Sequence, residues 1–170
     1  MEKISSAAID LISARALWVI RQDAATAAIS AATEALLEGH DGQGLRELAG
    51  ASPHINVFEL RTLIDDALNE LGLATVEMTD DEAKLIVAHF YACRAVEGNP
   101  RIRDLTSWAH RVVGHQGHPV AQELVNLDDA YGAYDDGWGE EPNAMQVIVR
   151  FVDGARLELK RWIRAGPAKQ

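Results

Sequence analysis

Apolar residues recur along most of the chain at the three- and four-residue spacing of an amphipathic helix. Residues 4–38 are rich in Ala, Ile and Leu and contain no Pro or Gly, which predicts one long helix or two helices with a bend near Gln22 and Asp23. Glycine- and proline-containing breaks delimit the remaining segments, and further helices are expected at 45–49, 57–71, 80–96, 100–113 and 119–138. The pattern predicts an all-α fold, a bundle of six or seven helices in a single domain over residues 1–170.

The last segment, 147–159, fits two structures. Its two apolar runs flank an Asp-Gly pair, which is typical of a β-hairpin. A helix is favoured, because nine apolar residues between Ala144 and Ile163 then share one face. Burial is worth about 0.8 kcal/mol per methylene, so this face exceeds the cost of roughly 1 kcal/mol for an internal glycine.

Composition narrows the partners and the compartment. The formal net charge of −10 argues against nucleic-acid binding, which requires clustered Lys and Arg. The chain has one cysteine, Cys93, no apolar run long enough to span a membrane and no signal-peptide pattern at its start. We therefore expect a cytoplasmic protein without a membrane partner.

An acidic segment is the clearest charge feature. No Lys or Arg occurs between Val112 and Val149, whereas basic residues predominate from Arg150 onward. Acidic side chains interleaved with tyrosines suit the capture of a basic protein, and the alternatives are a solvated helix face or a site for Ca²⁺ or Mg²⁺. The basic final helix suits an intramolecular match or a homodimer contact. The predicted partner-binding residues are Asp128, Asp129, Tyr131, Tyr134, Asp135, Asp136, Glu140 and Glu141.

Histidines supply the second candidate chemistry. His110, His115 and His118 fall within nine residues, and three imidazoles can bind zinc with a position left open for water. The alternative is that they are surface histidines near a helix end. His89 and Cys93 lie one helical turn apart, which permits a catalytic pair but is more typical of core residues. The sequence contains no glycine-rich phosphate loop, nucleophile elbow or Cys-x-x-Cys pair, so no cofactor is expected.

Three stretches carry a family resemblance: Leu45–Gly50, Phe58–Gly72 and Val125–Tyr131. They resemble segments of uncharacterised all-helical proteins of high-GC bacteria, a resemblance that implies a helical fold and assigns no activity. Small acidic helical proteins of this type include antitoxin and immunity partners. We interpret the chain as a non-enzymatic protein-binding module, an immunity-like or antitoxin-like inhibitor with an acidic helix surface. The alternative is a metal-dependent hydrolase with a histidine cluster.

Overall fold

The computed structural model describes residues 5–73 and 77–164, with side chains described as far as Lys160. The all-helical prediction is confirmed, since these ranges contain eight α-helices, one 3₁₀ turn and no strand. The helices are α1 (Ser6–Val19), α2 (Ala25–Leu37), α3 (Gln43–Ala49), α4 (Val57–Glu70), α5 (Asp80–Val96), α6 (Ile102–Val112), α7 (Gln122–Asp135) and α8 (Ala144–Arg164), with the 3₁₀ turn at Pro119–Ala121.

The eighth helix arises because the first apolar segment is split. Arg21 adopts a left-handed conformation with φ of 60°, and the Gln22 amide donates to the Leu17 carbonyl at 2.9 Å. This is the pattern that ends many helices, with arginine in the position where glycine is usual. The Asp23 carboxylate then accepts from the Ala25 amide at 3.2 Å and helps to begin α2.

Within the described residues, the helices group into two compact units. The first holds α1 to α4, in which α1 and α3 each pack against both α2 and α4. Alanines allow α2 to approach its neighbours closely, and Ala28, Ala32 and Ala35 are fully buried. A buried arginine, Arg15, pairs with Asp65 across α1 and α4 at 2.9 Å.

The second unit holds α6, the 3₁₀ turn, α7 and most of α5 and α8. Helices α6 and α7 pack against each other and run antiparallel, since Arg103 meets Asp135 whereas His110 meets Asp128. The prediction of a helix over 147–159 is confirmed, because the whole segment lies inside α8. The organisation as a single domain stays a prediction.

Candidate functional site

Two histidines and two carboxylates converge where α6 ends against α7. The His110 Nδ1 atom lies 2.9 Å from Asp128 Oδ2 and 3.5 Å from Asp129 Oδ1. The His115 Nε2 atom lies 3.2 Å from Asp129 Oδ2. His110, His115 and Asp129 each offer a ligand atom, and these three atoms lie within 4.8 Å of one another. We call His110, His115 and Asp129 the His110 cluster. Their arrangement suits either a bound metal ion or ion pairs between the histidines and the carboxylate.

The local fold explains how the His110 cluster is assembled. His110 is in the last turn of α6, and Gly114 with φ of 69° reverses the chain so that His115 comes back beside it. The two imidazole rings meet edge to face with centroids 5.2 Å apart. The buried Thr106 hydroxyl of α6 donates to Asp128 Oδ1 of α7 at 3.1 Å and fixes that carboxylate against α6.

His118 does not belong to this cluster. Its Nδ1 atom accepts a hydrogen bond from the Val120 amide at 3.2 Å and so caps the 3₁₀ turn that begins at Pro119. The structure therefore brings together two of the three histidines that the sequence proposed as metal ligands. The third member of the cluster is Asp129, which the sequence predicts to be part of a partner-binding surface. The sequence does not reveal its place beside the histidines, because that depends on the packing of α7 on α6.

The middle of the predicted partner surface is neutralised within the second unit. Arg103 donates to Asp135 Oδ2 at 2.6 Å, and its guanidinium lies over the Tyr131 ring, 4.4 Å from the centroid. Tyr131 is itself buried, and this burial raises the pKa of its hydroxyl. Asp128, Tyr131 and Asp135 thus take part in packing α6 against α7.

The far end of that surface is open. Helix α7 ends at Asp135, and Gly137 and Gly139 both have positive φ on either side of Trp138. Trp138 is 77% exposed, and Tyr134 is also exposed. Asp136, Glu140 and Glu141 are exposed as well. Among the described side chains none of the three forms an ion pair within 4 Å, but Glu141 is close enough to Arg103 to contribute to the raised pKa of its guanidinium. We call this set of five residues the Trp138 surface.

His89 and Cys93 form a contact inside the second unit. The Cys93 sulfur lies 3.6 Å from His89 Nε2, and His89 is buried. Burial, with a smaller contribution from the positive charge of Arg156, lowers the pKa of His89 to about 4. A histidine that is neutral at pH 7 does not supply the imidazolium that activates a catalytic thiolate, which favours the core interpretation.

A shallow cavity of about 600 Å³ also lies in the second unit. It is lined by Ala95, Val96, Gly98, Arg101, Ile102, Arg103 and Met145. None of these is a member of the His110 cluster, so the cavity provides no substrate cleft for those histidines.

Within the described ranges, no helix combines the length and the apolar character needed to cross a bilayer. Comparison of the chain with protein-family models, with curated proteins and with solved structures finds no match.

Proposed function

We propose that this chain is a non-enzymatic, cytoplasmic protein-binding module of the immunity or antitoxin type, which captures a basic protein through the Trp138 surface. The observation that carries the proposal is the 77% exposure of Trp138 beside three exposed carboxylates. Tryptophan and tyrosine are enriched among the residues that dominate binding energy at protein interfaces. In a protein without a partner, burial of a large aromatic side chain would stabilise the fold more than its exposure does.

Charge defines the partner. Asp136, Glu140 and Glu141 lie in and around a short loop without a nearby basic residue in sequence. Their negative potentials add, and Arg103 offsets part of that of Glu141. Such a surface attracts a positively charged protein and speeds its association, an effect that weakens as salt is added. The sequence assigned Asp128, Asp129, Tyr131 and Asp135 to the same interface. Their contacts with α6 make them supporting residues in this proposal.

The test is affinity capture from a lysate of the source cell, read by quantitative mass spectrometry, with two variants. One is Trp138→Ala, and the other reverses the charge of Asp136, Glu140 and Glu141 to lysine. We expect the wild-type protein to enrich a basic protein that both variants lose. The matched control is Phe58→Ala, which removes another exposed aromatic ring from α4.

A second control reverses the exposed acids Glu34, Glu38 and Asp66, which alters the net charge equally at other sites. Retention of the same partner by the two Trp138-surface variants would refute the proposal. Equal loss from both charge-reversed variants would also refute it, since net charge alone would then explain capture.

A homodimer through α8 stays a second proposal. Met145 and Val149 are exposed one turn apart on that helix, and Leu157 is exposed further along. The measurement is the mass in solution by light scattering of the wild type and of a Val149→Glu, Leu157→Glu variant. A monomer mass for the wild-type chain would exclude this arrangement.

The hydrolase alternative has less support. The His110 cluster lies at a half-exposed helix end, and the one cavity described above is lined by other residues. Metal binding by the cluster is a separate matter and does not require a reaction.

A further inference from the structure

We propose that His110, His115 and Asp129 bind a divalent transition metal ion of the zinc class. The inference does not depend on the Trp138 surface, since the two sets of residues share no member. It also revises the sequence-based ligand set, in which His118 stood where the structure places Asp129.

The distances between ligand atoms fit a metal ion. Zinc binds nitrogen and oxygen at about 2.0–2.1 Å, so neighbouring ligands of a tetrahedral site are about 3.3 Å apart. Asp129 Oδ1 lies 3.5 Å from the Nδ1 atom of His110, and Asp129 Oδ2 lies 3.2 Å from the Nε2 atom of His115. One ligand atom from each of the three residues lies within 4.8 Å of the other two, so side-chain rotations alone would bring them to the spacing of a tetrahedral site.

The donor set and the charge select the kind of metal. Two imidazoles and one carboxylate suit Zn²⁺, Co²⁺, Ni²⁺ or Fe²⁺, whereas Ca²⁺ and Mg²⁺ prefer oxygen ligands alone. Asp128, 2.9 Å from His110, adds a second negative charge beside the ligands. The carboxylates of Asp128 and Asp129 together balance the double charge of the ion.

Access and adjustability are also present. His110, His115 and Asp129 are each partly exposed, so an ion can enter and water can complete its coordination. Asp128 is held by the Thr106 hydroxyl and by His110. The His115 loop follows Gly114, where positive φ is adopted without strain. Metal binding would replace the hydrogen bond between His110 and Asp128, and it would tie the end of α6 to α7.

The experiment is isothermal titration of ZnCl₂ into the full chain, expressed without a histidine tag and freed of metal with a chelator. We expect one equivalent to bind. The variants His110→Ala, His115→Ala and Asp129→Asn are each expected to weaken zinc binding by about tenfold or more. Loss of a residue that only hydrogen-bonds to a metal ligand already lowers affinity by about that factor. The matched control is His118→Ala, three residues from His115, which should bind as the wild type does.

Thermal unfolding gives a second readout, because an ion that binds only the folded state raises Tm by mass action. Zinc should raise the Tm of the wild type and of Trp138→Ala, and leave that of His115→Ala unchanged. Absence of zinc binding by the wild type would overturn the proposal. So would unaltered binding by the His115 and Asp129 variants, or loss of binding in His118→Ala, since the histidines would then act only as scattered surface ligands.

Discussion

His89 is expected to make the protein lose stability in mild acid. Burial, with a smaller contribution from Arg156, lowers its pKa in the folded state to about 4, whereas the pKa in the unfolded chain is about 6.5. Below pH 6.5 the unfolded state therefore takes up a proton that the folded state does not bind. The free energy of unfolding therefore decreases as the pH is lowered. The decrease ends near pH 4, where His89 is protonated in the folded state as well.

The magnitude follows from the two pKa values. They differ by about 2.5 units, and each unit corresponds to about 1.36 kcal/mol. The full loss of stability is therefore about 3 kcal/mol, of which roughly 2 kcal/mol is reached by pH 5. This is a large fraction of the 5–15 kcal/mol typical of a folded domain.

The assay is urea unfolding at pH 7.5 and pH 5.0 for the wild type and His89→Met, which keeps the apolar volume and removes the titrating group. The remaining carboxylates and histidines titrate in both proteins, so their contributions cancel in the comparison. The wild type should lose about 2 kcal/mol more than the variant over this interval. Arg156→Gln in the wild-type background should reduce that loss, because it removes a positive charge near the imidazole. Equal losses in the wild type and His89→Met would refute the reasoning.

Three further substitutions and one matched control test the first unit, each by urea unfolding at pH 7.5. Asp65→Ala should lower the free energy of unfolding by about 3 kcal/mol, because it leaves the guanidinium of Arg15, whose side chain is 7% exposed, without its carboxylate. The matched control, Asp66→Ala on the same helix, should change it by less than about 0.5 kcal/mol. Glu70→Ala should cost roughly 1–2 kcal/mol, since the carboxylate accepts from the amides of Gly44 and Leu45 in the first turn of α3, at 2.6 and 3.0 Å. Arg21→Gly should raise stability by about 0.5–1 kcal/mol, because glycine adopts the left-handed conformation at lower cost. A destabilised Arg21→Gly variant, or equal effects at Asp65 and Asp66, would contradict these interpretations.

Features carried by one helix were readable from the sequence. The apolar face of α8 is buried at Ala144, Ile148, Phe151, Ala155 and Leu159, in the positions that the helical period predicts. The Thr-x-x-Glu signature at the start of α5 is a capping box, in which the Glu82 amide donates to the Thr79 hydroxyl at 3.2 Å. Both depend only on residues within one or two turns, so a single sequence contains all the information they need.

Features that depend on a second helix were not readable in the same way. His110 and Asp128 are eighteen residues apart and meet because α6 and α7 pack antiparallel. The sequence placed a possible bend near Gln22 and Asp23 but did not decide between one helix and two, since Arg21 stands at the position where a glycine would have marked a stop. Likewise, Arg103 closes on Asp135 across the helix pair, so an uninterrupted acidic stretch in sequence is partly compensated in space.

This compensation divides the acidic segment into two parts with different physical roles. Asp128, Asp129 and Asp135 face cationic or titratable groups of α6 and the loop after it, and their removal would disturb the packing of the helix pair. Trp138 lies beyond the end of α7, where its exposed ring contributes little burial to the fold. Because burial of an aromatic side chain contributes several kcal/mol (about 25 cal/mol per Å² of apolar surface), leaving Trp138 exposed forgoes stability that a partner can recover on binding.

Trp138→Ala should therefore separate the two roles. It should leave the urea midpoint within experimental error of the wild type while abolishing capture of the partner. Asp135→Ala, in contrast, should lower the urea midpoint, because it removes the carboxylate that Arg103 contacts across the helix pair. If Trp138→Ala unfolded as readily as a core variant, the ring would belong to the fold, and the argument for a partner at this surface would fail.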